Sequence, residues 1–264
     1  MSTIPRPLTE AQIKARIRQI LFPGGIKCPR CKKRYSFKIM DRYYCKNCRL
    51  KFSLKRCCLF ARSKLSFSQL WQLLDCFLGE LSFEDARHVT KLSHMTVRRW
   101  YRRFNALIPG ELHKLSGTVE IDEAFIGRRK FWNQTVVIGA LERDRNTVVL
   151  QCIPDRNQGT TDTFILETVE VPSMIYTDSW GGYEHLPEFF GYGHEMVNHS
   201  AGGFGLTNRI ENVWMCLRRF IKKVHHHVWS VHLPDVIREF QARRSHPEVF
   251  TNQLSFLSYV FQES

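Results

Sequence analysis

The stretch EIDEAFIG, residues 120–127, packs three carboxylates into four positions and then runs into apolar residues. Glu120, Asp122 and Glu123 surround Ile121, and Ala124, Phe125 and Ile126 follow. Successive side chains on a strand point to opposite faces. Asp122 therefore shares a face with Glu120, while Glu123 faces the other way and is not expected to be a ligand. The segment reads as a buried strand with an acid in its middle, and the flanking sequence gives the reason.

GTVEIDEAFIG alternates and is rich in strand formers, and NQTVVIGALERDRNTVVLQCIPD reads as two more strands joined by a turn at RDRN. TTDTFILETVE is helical in pattern. SMIYTDSWGGYEHL is a short apolar strand that ends in Asp178 and breaks at Gly181 and Gly182, and HEMVNHS is a further candidate strand. TNRIENVWMCLRRFIKKVHHH is a strong helix, with Ile210, Val213, Leu217, Ile221 and Val224 near one side and Asn208 a candidate cap. Three antiparallel strands, a helix, a strand and more helices is the order of an RNase H-like domain, a mixed sheet flanked by helices. In that fold the first strand is central, so Asp122 projects into the site. Asp178 ends the neighbouring strand and Glu211 comes from the late helix. Three carboxylates from distant segments suit two divalent ions, because Mg²⁺ takes oxygen ligands and keeps several waters. Glu120 is a credible neighbour of the site, and Asn198 and His199 are border candidates. Trp180 and Trp214 read as core. The histidines at 225–227 read as phosphate contacts or exposed residues.

Charge divides the 264 residues. Residues 1–116 hold 25 Lys and Arg against 7 Asp and Glu, and the remainder holds 14 against 18, within an overall net charge of +14. The pI is near 9.6. A strongly basic front points to a polyanionic partner, a nucleic acid. No run of about eighteen apolar residues appears, so no membrane span is expected.

Four of the nine cysteines, Cys28, Cys31, Cys45 and Cys48, are spaced C-x2-C-x13-C-x2-C, a four-cysteine zinc pattern. Basic and aromatic residues, among them Lys32, Lys33, Arg34, Phe37, Tyr43 and Tyr44, fill the space between. Cys57, Cys58, Cys76, Cys152 and Cys216 lack metal spacing and read as apolar fillers. Before the ribbon, LTEAQIKARIRQILF reads as a helix with a Thr9–Gln12 capping box. After it, SFSQLWQLLDCFL, SFEDARHVTKL and SHMTVRRWYRRF read as three helices, with Ser82 and Ser93 as caps. The last two suggest a helix-turn-helix. Arg98, Arg99, Arg102 and Arg103 are its DNA-contact candidates, with Val97, Trp100, Tyr101 and Phe104 on the packed side.

The motifs EIDEAFIG, IYTDSWGGY, VNHS and TNRIENVWMCLRRF, in that order behind a ribbon and a helix-turn-helix, resemble the Merlin-type DDE transposases and their bacterial insertion-sequence relatives over roughly residues 26–247. The resemblance implies an RNase H-like domain that cuts double-stranded DNA at transposon ends and joins them to a target with Mg²⁺ or Mn²⁺. It implies Asp122, Asp178 and Glu211 as the catalytic acids holding two ions. Some relatives carry Asn as the third residue, and Asn212 adjoins Glu211; the two point about 100° apart on a helix, and Glu211 carries the charge a second ion needs. Arg218, seven residues on, stands where the family often has Lys and is expected on DNA. The expected organisation is an N-terminal helix (1–25), a ribbon with one structural Zn²⁺ (26–56), a helix-turn-helix (62–110), the catalytic domain (115–250) and a C-terminal tail (251–264). Two ends must be held together, so at least a homodimer is expected, in a nucleus or in a bacterial cytoplasm and nucleoid according to the host. The rival reading is a zinc-ribbon, helix-turn-helix DNA-binding protein or transcription regulator descended from a transposase that no longer cuts.

Overall fold

The computed structural model describes residues 8–34, 36–109, 114–127, 134–178, 181–197 and 207–262. The chain divides into two units, Met1–Tyr101 with Glu248–Ser264, and Arg102–Pro247.

The first unit starts with α1 (Glu10–Leu21), where Thr9 and Gln12 form the expected capping box and Ile13 and Ile17 are buried. The ribbon is a three-stranded antiparallel sheet of β1 (Ser36–Ile39), β2 (Arg42–Cys45) and β3 (Lys51–Phe52). A second capping box, Ser66 with Gln69, opens α2 (Phe67–Leu78). Ser82 caps α3 (Phe83–Thr90), which ends at Lys91 in the left-handed conformation. Ser93 accepts from the backbone N–H of Thr96 at 3.3 Å and caps α4 (His94–Asn105). The tight turn between α3 and α4 gives the helix-turn-helix, and Val97, Trp100, Tyr101 and Phe104 are all buried, as their spacing predicts.

The second unit is built on one five-stranded sheet. Its elements are β4 (Leu115–Ile126), β5 (Thr135–Glu142), β6 (Val148–Ile153), α5 (Gln158–Thr168), β7 (Val169–Asp178), α6 (Leu186–Phe190), β8 (Gly193–Val197), α7 (Asn208–Phe220) and α8 (Leu233–Ser245). The strand order is β6-β5-β4-β7-β8, antiparallel from β6 to β4 and parallel from β4 to β8. β4 is central, as expected, and this order and polarity is that of an RNase H-like domain. Its Val119 and Ile121 face the core shared with Phe164 and Ile165 of α5, and α7 packs on β4 and β5. Helices thus cover both faces. One turn of π-helix, Ile221–His225, continues α7, and His226 at φ 55 ends it.

The C-terminal segment differs from a simple tail. Asn252 accepts from the N–H groups of Leu254 and Ser255, both at 3.0 Å, and starts α9 (Gln253–Gln262). Phe256, Leu257 and Val260 are buried, and α9 packs on α1 and α2, with Phe256 5.9 Å from Phe77.

Candidate functional site

The four cysteines meet. Their sulfurs all lie within 4.8 Å of one another. Cys28 Sγ is 3.4 Å from Cys48 Sγ, and Cys31 Sγ is 3.5 Å from Cys45 Sγ. Tetrahedral thiolates at the usual Zn–S length stand about 3.8 Å apart, so the set fits one zinc ion. The two knuckles repeat one geometry. Cys28 N donates to Lys33 O and Lys32 N to Cys28 O, while Cys45 N donates to Leu50 O and Arg49 N to Cys45 O. Lys32 and Arg49 both take positive φ, 60 and 56, which closes each turn. The backbone N–H of Cys48, helped by Cys31, Asn47 and Cys28, lowers the Cys45 thiol to about 6 although burial opposes it, while burial pushes the Cys48 thiol up to about 11, so without a metal the charge gathers on one side of the cluster.

Asp122 stands on the central strand, on the face that α7 covers. Its Oδ2 accepts from Trp214 Nε1 at 2.9 Å. Burial, then the charges of Glu123 and Asp178, push its carboxyl up to about 6 against the hydrogen bonds that lower it. Trp214 is therefore core, as expected, and also the partner that orients Asp122. Gly139 lies opposite Asp122 across the β4–β5 pair and makes room for that indole. A methyl at Gly139 would meet Trp214 Cη2 at 2.6 Å and Leu150 Cδ2 at 2.7 Å. Gly139→Ala is expected to cost about 2 kcal/mol by overpacking and to push the indole off Asp122. Thermal melting and tryptophan fluorescence check this; an unchanged melt would show that the wall yields.

The β4–β7 register pairs Glu120 with Tyr176. Asp122 and Asp178 each lie two residues beyond that last pair on their own strands, near enough for the Asp178 charge to act on Asp122. Glu123 faces away from Asp122, yet it belongs to the surroundings of Asp178. Arg156 Nη2 lies 3.0 Å from Glu123 Oε2 and 3.2 Å from Asp178 Oδ2. Tyr183 O–H donates to Glu123 Oε1. Burial first, then like charge from Asp178, raises the Glu123 carboxyl against these partners. The sequence gives no signal for Arg156, a lone arginine in a loop 22 residues from Asp178.

Glu211 is exposed in the first turn of α7, with Thr207 Oγ1 3.4 Å from its Oε1. Neighbouring Asn212 accepts a contact from Cys216 Sγ at 3.2 Å. Among the described residues, the cysteines are the one group of three or more His, Cys, Asp or Glu side chains whose ligand atoms gather closely enough to share an ion. Asp122 and Asp178 feel each other's charge, but the three acids do not close to that distance. Arg218 is exposed on α7, one heptad after Glu211 and so on nearly the same side.

Two expectations change. Asn208 does not cap α7: it is the first helical residue, Thr207 is the cap position, and Thr207 makes no side-chain capping bond. Glu120 is fully buried and takes over that task rather than standing beside Asp122 as an open neighbour: its Oε2 accepts from Arg209 N at 3.0 Å and Ile210 N at 2.9 Å. Asn198, His199 and Trp180 lie outside the described residues. His226 and His227 are exposed, while the His225 ring packs edge-on to Phe220 at 5.8 Å. Among the helix-turn-helix arginines, Arg99 and Arg102 are exposed and Arg98 and Arg103 half-buried. Arg98 lies over the Phe83 ring at 5.7 Å, and Arg102 Nη2 is 2.7 Å from His232 Nε2.

Two family models agree with this layout. Residues 114–245 match the ISXO2-like transposase domain, and residues 8–51 match the transposase zinc-ribbon domain, a span that includes α1. An uncharacterized protein in transposable element ISH50 of Halobacterium salinarum is 24% identical over 283 residues, covering 95% of each chain. Among solved structures, the catalytic core of BIV integrase aligns at a TM-score of 0.37 and 16% identity, over 48% of this chain and 82% of that one. The HTLV-2 integrase catalytic core in complex with magnesium aligns at 0.36 and 10%, over 50% and 88%. No helix among the described residues is long and apolar enough to cross a membrane. With half of its length matched by the transposase domain and the zinc ribbon ahead of it, the chain belongs to the IS1595 family of DDE transposases.

Proposed function

We propose that the chain binds the terminal repeats of its element, frees a 3′-OH at each end and joins that hydroxyl to target DNA. The observation that supports this most is the placing of Asp122 and Asp178 on adjacent parallel strands, with α7 and its Glu211 packed against the same central strand. Asp122, Asp178 and Glu211 would hold Mg²⁺ or Mn²⁺, two ions per site. The donor set suits cations: acids are crowded where burial already penalises their charge. Bound divalent ions would supply charge neutralisation for the attacking and leaving oxygens of an in-line displacement.

In the first step a water oxygen attacks a phosphorus at the element's end. One P–O bond forms, the bond to the 3′ oxygen breaks, and the water's proton leaves to solvent as the 3′ oxygen takes one up. In the second step that 3′-OH attacks a target phosphodiester; the new bond replaces the old one and a target 3′-OH is released. Trp214 holds the Asp122 carboxylate in one orientation throughout. Glu211 is the third acid in this reading, because it carries the charge a second ion needs and Asn212 does not. Arg218 and the exposed Arg99 and Arg102, with Arg98 and Arg103 beside them, would contact DNA phosphates or bases. Two protomers would hold the two ends. A relative in a Halobacterium element favours a prokaryotic cytoplasm and nucleoid over a nucleus.

The test is end cleavage. A duplex carrying the element's terminal repeat, labelled on one strand, is expected to be cut to a 3′-OH product with Mg²⁺ and to stay intact with EDTA. Tight binding of that duplex with no cutting in either metal would overturn the enzymatic reading in favour of a non-cutting DNA-binding protein.

A further inference from the structure

We propose that Glu120 is a positioning residue that fixes the helix bearing Glu211 onto the strand bearing Asp122, and that Arg143 extends this link to the strand bearing Asp178. The proposal rests on the three-acid reading given above.

The first N–H groups of a helix lack partners within it, and a side-chain oxygen at the cap position ordinarily accepts from the second or third residue. In α7 those residues are Arg209 and Ile210. Their N–H groups go to Glu120 Oε2, a side chain about 90 residues away in sequence, at 3.0 and 2.9 Å. The other oxygen, Oε1, accepts from Arg143 Nε at 2.7 Å. Arg143 is tied further on both sides. Its guanidinium lies 4.8 Å above the Tyr176 ring, and its carbonyl oxygen accepts from Arg209 Nη1 at 2.7 Å.

The placing gives this network its meaning. Glu120 precedes Asp122 by two residues on the same face of β4. Tyr176 precedes Asp178 by two residues on β7 and is the register partner of Glu120. Arg209 precedes Glu211 by two residues in the first turn of α7. One buried carboxylate and one guanidinium therefore join the three segments, each two residues from a candidate metal ligand. A carboxylate is the group that fits. Both oxygens must accept, one from backbone N–H groups and one from a guanidinium, and its charge suits a helix N-terminus. Glutamine has the same shape but only one accepting oxygen, so its NH₂ would face a donor on one side or the other.

Glu142 supplies the control. It is buried as well, accepts from Ser116 N at 3.2 Å and pairs with Arg145 at 3.4 Å, and neither contact reaches α7. Glu120→Gln is expected to raise the Mg²⁺ concentration for half-maximal end cleavage by about tenfold or more, the size seen when partners of metal ligands are lost. Terminal-repeat binding should be unchanged. Glu142→Gln should leave the Mg²⁺ midpoint in place even where it lowers the melting temperature as much. Arg143→Lys keeps the charge but loses the planar stack on Tyr176. It should shift the midpoint in the same direction by less, and it serves if Glu120→Gln does not fold.

Amide hydrogen exchange reads the link without catalysis. Arg209 and Ile210 should lose protection in Glu120→Gln and keep it in Glu142→Gln. Equal Mg²⁺ midpoints for Glu120→Gln and Glu142→Gln, or unchanged exchange at Arg209 and Ile210, would overturn the proposal. A wild-type protein that cuts nothing would instead overturn the three-acid reading, and the exchange result would still decide whether Glu120 anchors α7.

Discussion

Asp122→Asn is expected to lose DNA cutting and joining below detection and, without metal, to melt at a higher temperature than the wild type at pH 7. Both outcomes come from the same carboxylate. In an unfolded chain an aspartate releases its proton near pH 4. In the fold, burial and the charges of Glu123 and Asp178 hold the proton on Asp122 up to about 6. Between those values the native state keeps a proton that the unfolded chain has lost. Raising the pH across that window therefore lowers stability, and above it the whole cost persists. At pH 7 the charge costs the fold about 3 kcal/mol. Asparagine removes the charge and still offers an oxygen to the Trp214 N–H. For a unit of this size the gain corresponds to a melting temperature higher by about 10 °C. The gap should narrow at pH 5 and close near pH 4. Adding Mg²⁺ should raise the wild-type melting temperature and leave the variant unmoved. A wild type that melts above Asp122→Asn in EDTA at pH 7 would show that the site does not penalise its own charge.

Removing zinc should have the second large effect. The ribbon strands are two to four residues long, and two hairpins of that size do not hold a fold alone. Cys28, Tyr43, Cys45, Leu50 and Phe52 are the buried apolar residues there. Structural zinc typically contributes about 10 kcal/mol or more to such a module. Cys45→Ser, or a strong chelator, is expected to take zinc from one ion per chain to none and to unfold residues 27–52. Terminal-repeat affinity should fall by about 100-fold if the ribbon's basic residues, among them Lys32, Lys33 and Arg34, hold phosphates as the charge of the front half suggests. The melting of the 102–247 unit should not move. Metal analysis, calorimetry and a salt titration of binding check each part. Full end affinity in the zinc-free protein would place end recognition outside the ribbon.

Local rules carried the reading wherever local physics decides the structure. The Thr9–Gln12 capping box, the Ser82 and Ser93 caps and each C-x2-C knuckle depend on residues three apart, and all are found as read, with the two knuckles meeting at one cluster. The alternation through residues 117–126 and the strand order made β4 central. What the sequence hid depends on sheet register. Trp214 reaches Asp122 across 92 residues, and Glu120 reaches the start of α7 across 89 and 90. Asn208 looked like a cap because Asn favours that position, but the buried Glu120 already satisfied the donors, so the helix begins one residue earlier. The last helix also carries a local signal, since Asn252 ahead of Phe256, Leu257 and Val260 is a cap followed by an apolar stripe.

Strand joining into supercoiled plasmid tests the central claim most directly. Purified protein, short duplexes carrying the element's ends, and Mg²⁺ or Mn²⁺ are incubated with the plasmid, with Asp122→Asn in parallel. Joined product from the wild type alone, in metal alone, is the expected result. Equal product from Asp122→Asn would contradict the assignment of Asp122, and with it the reading of the central strand.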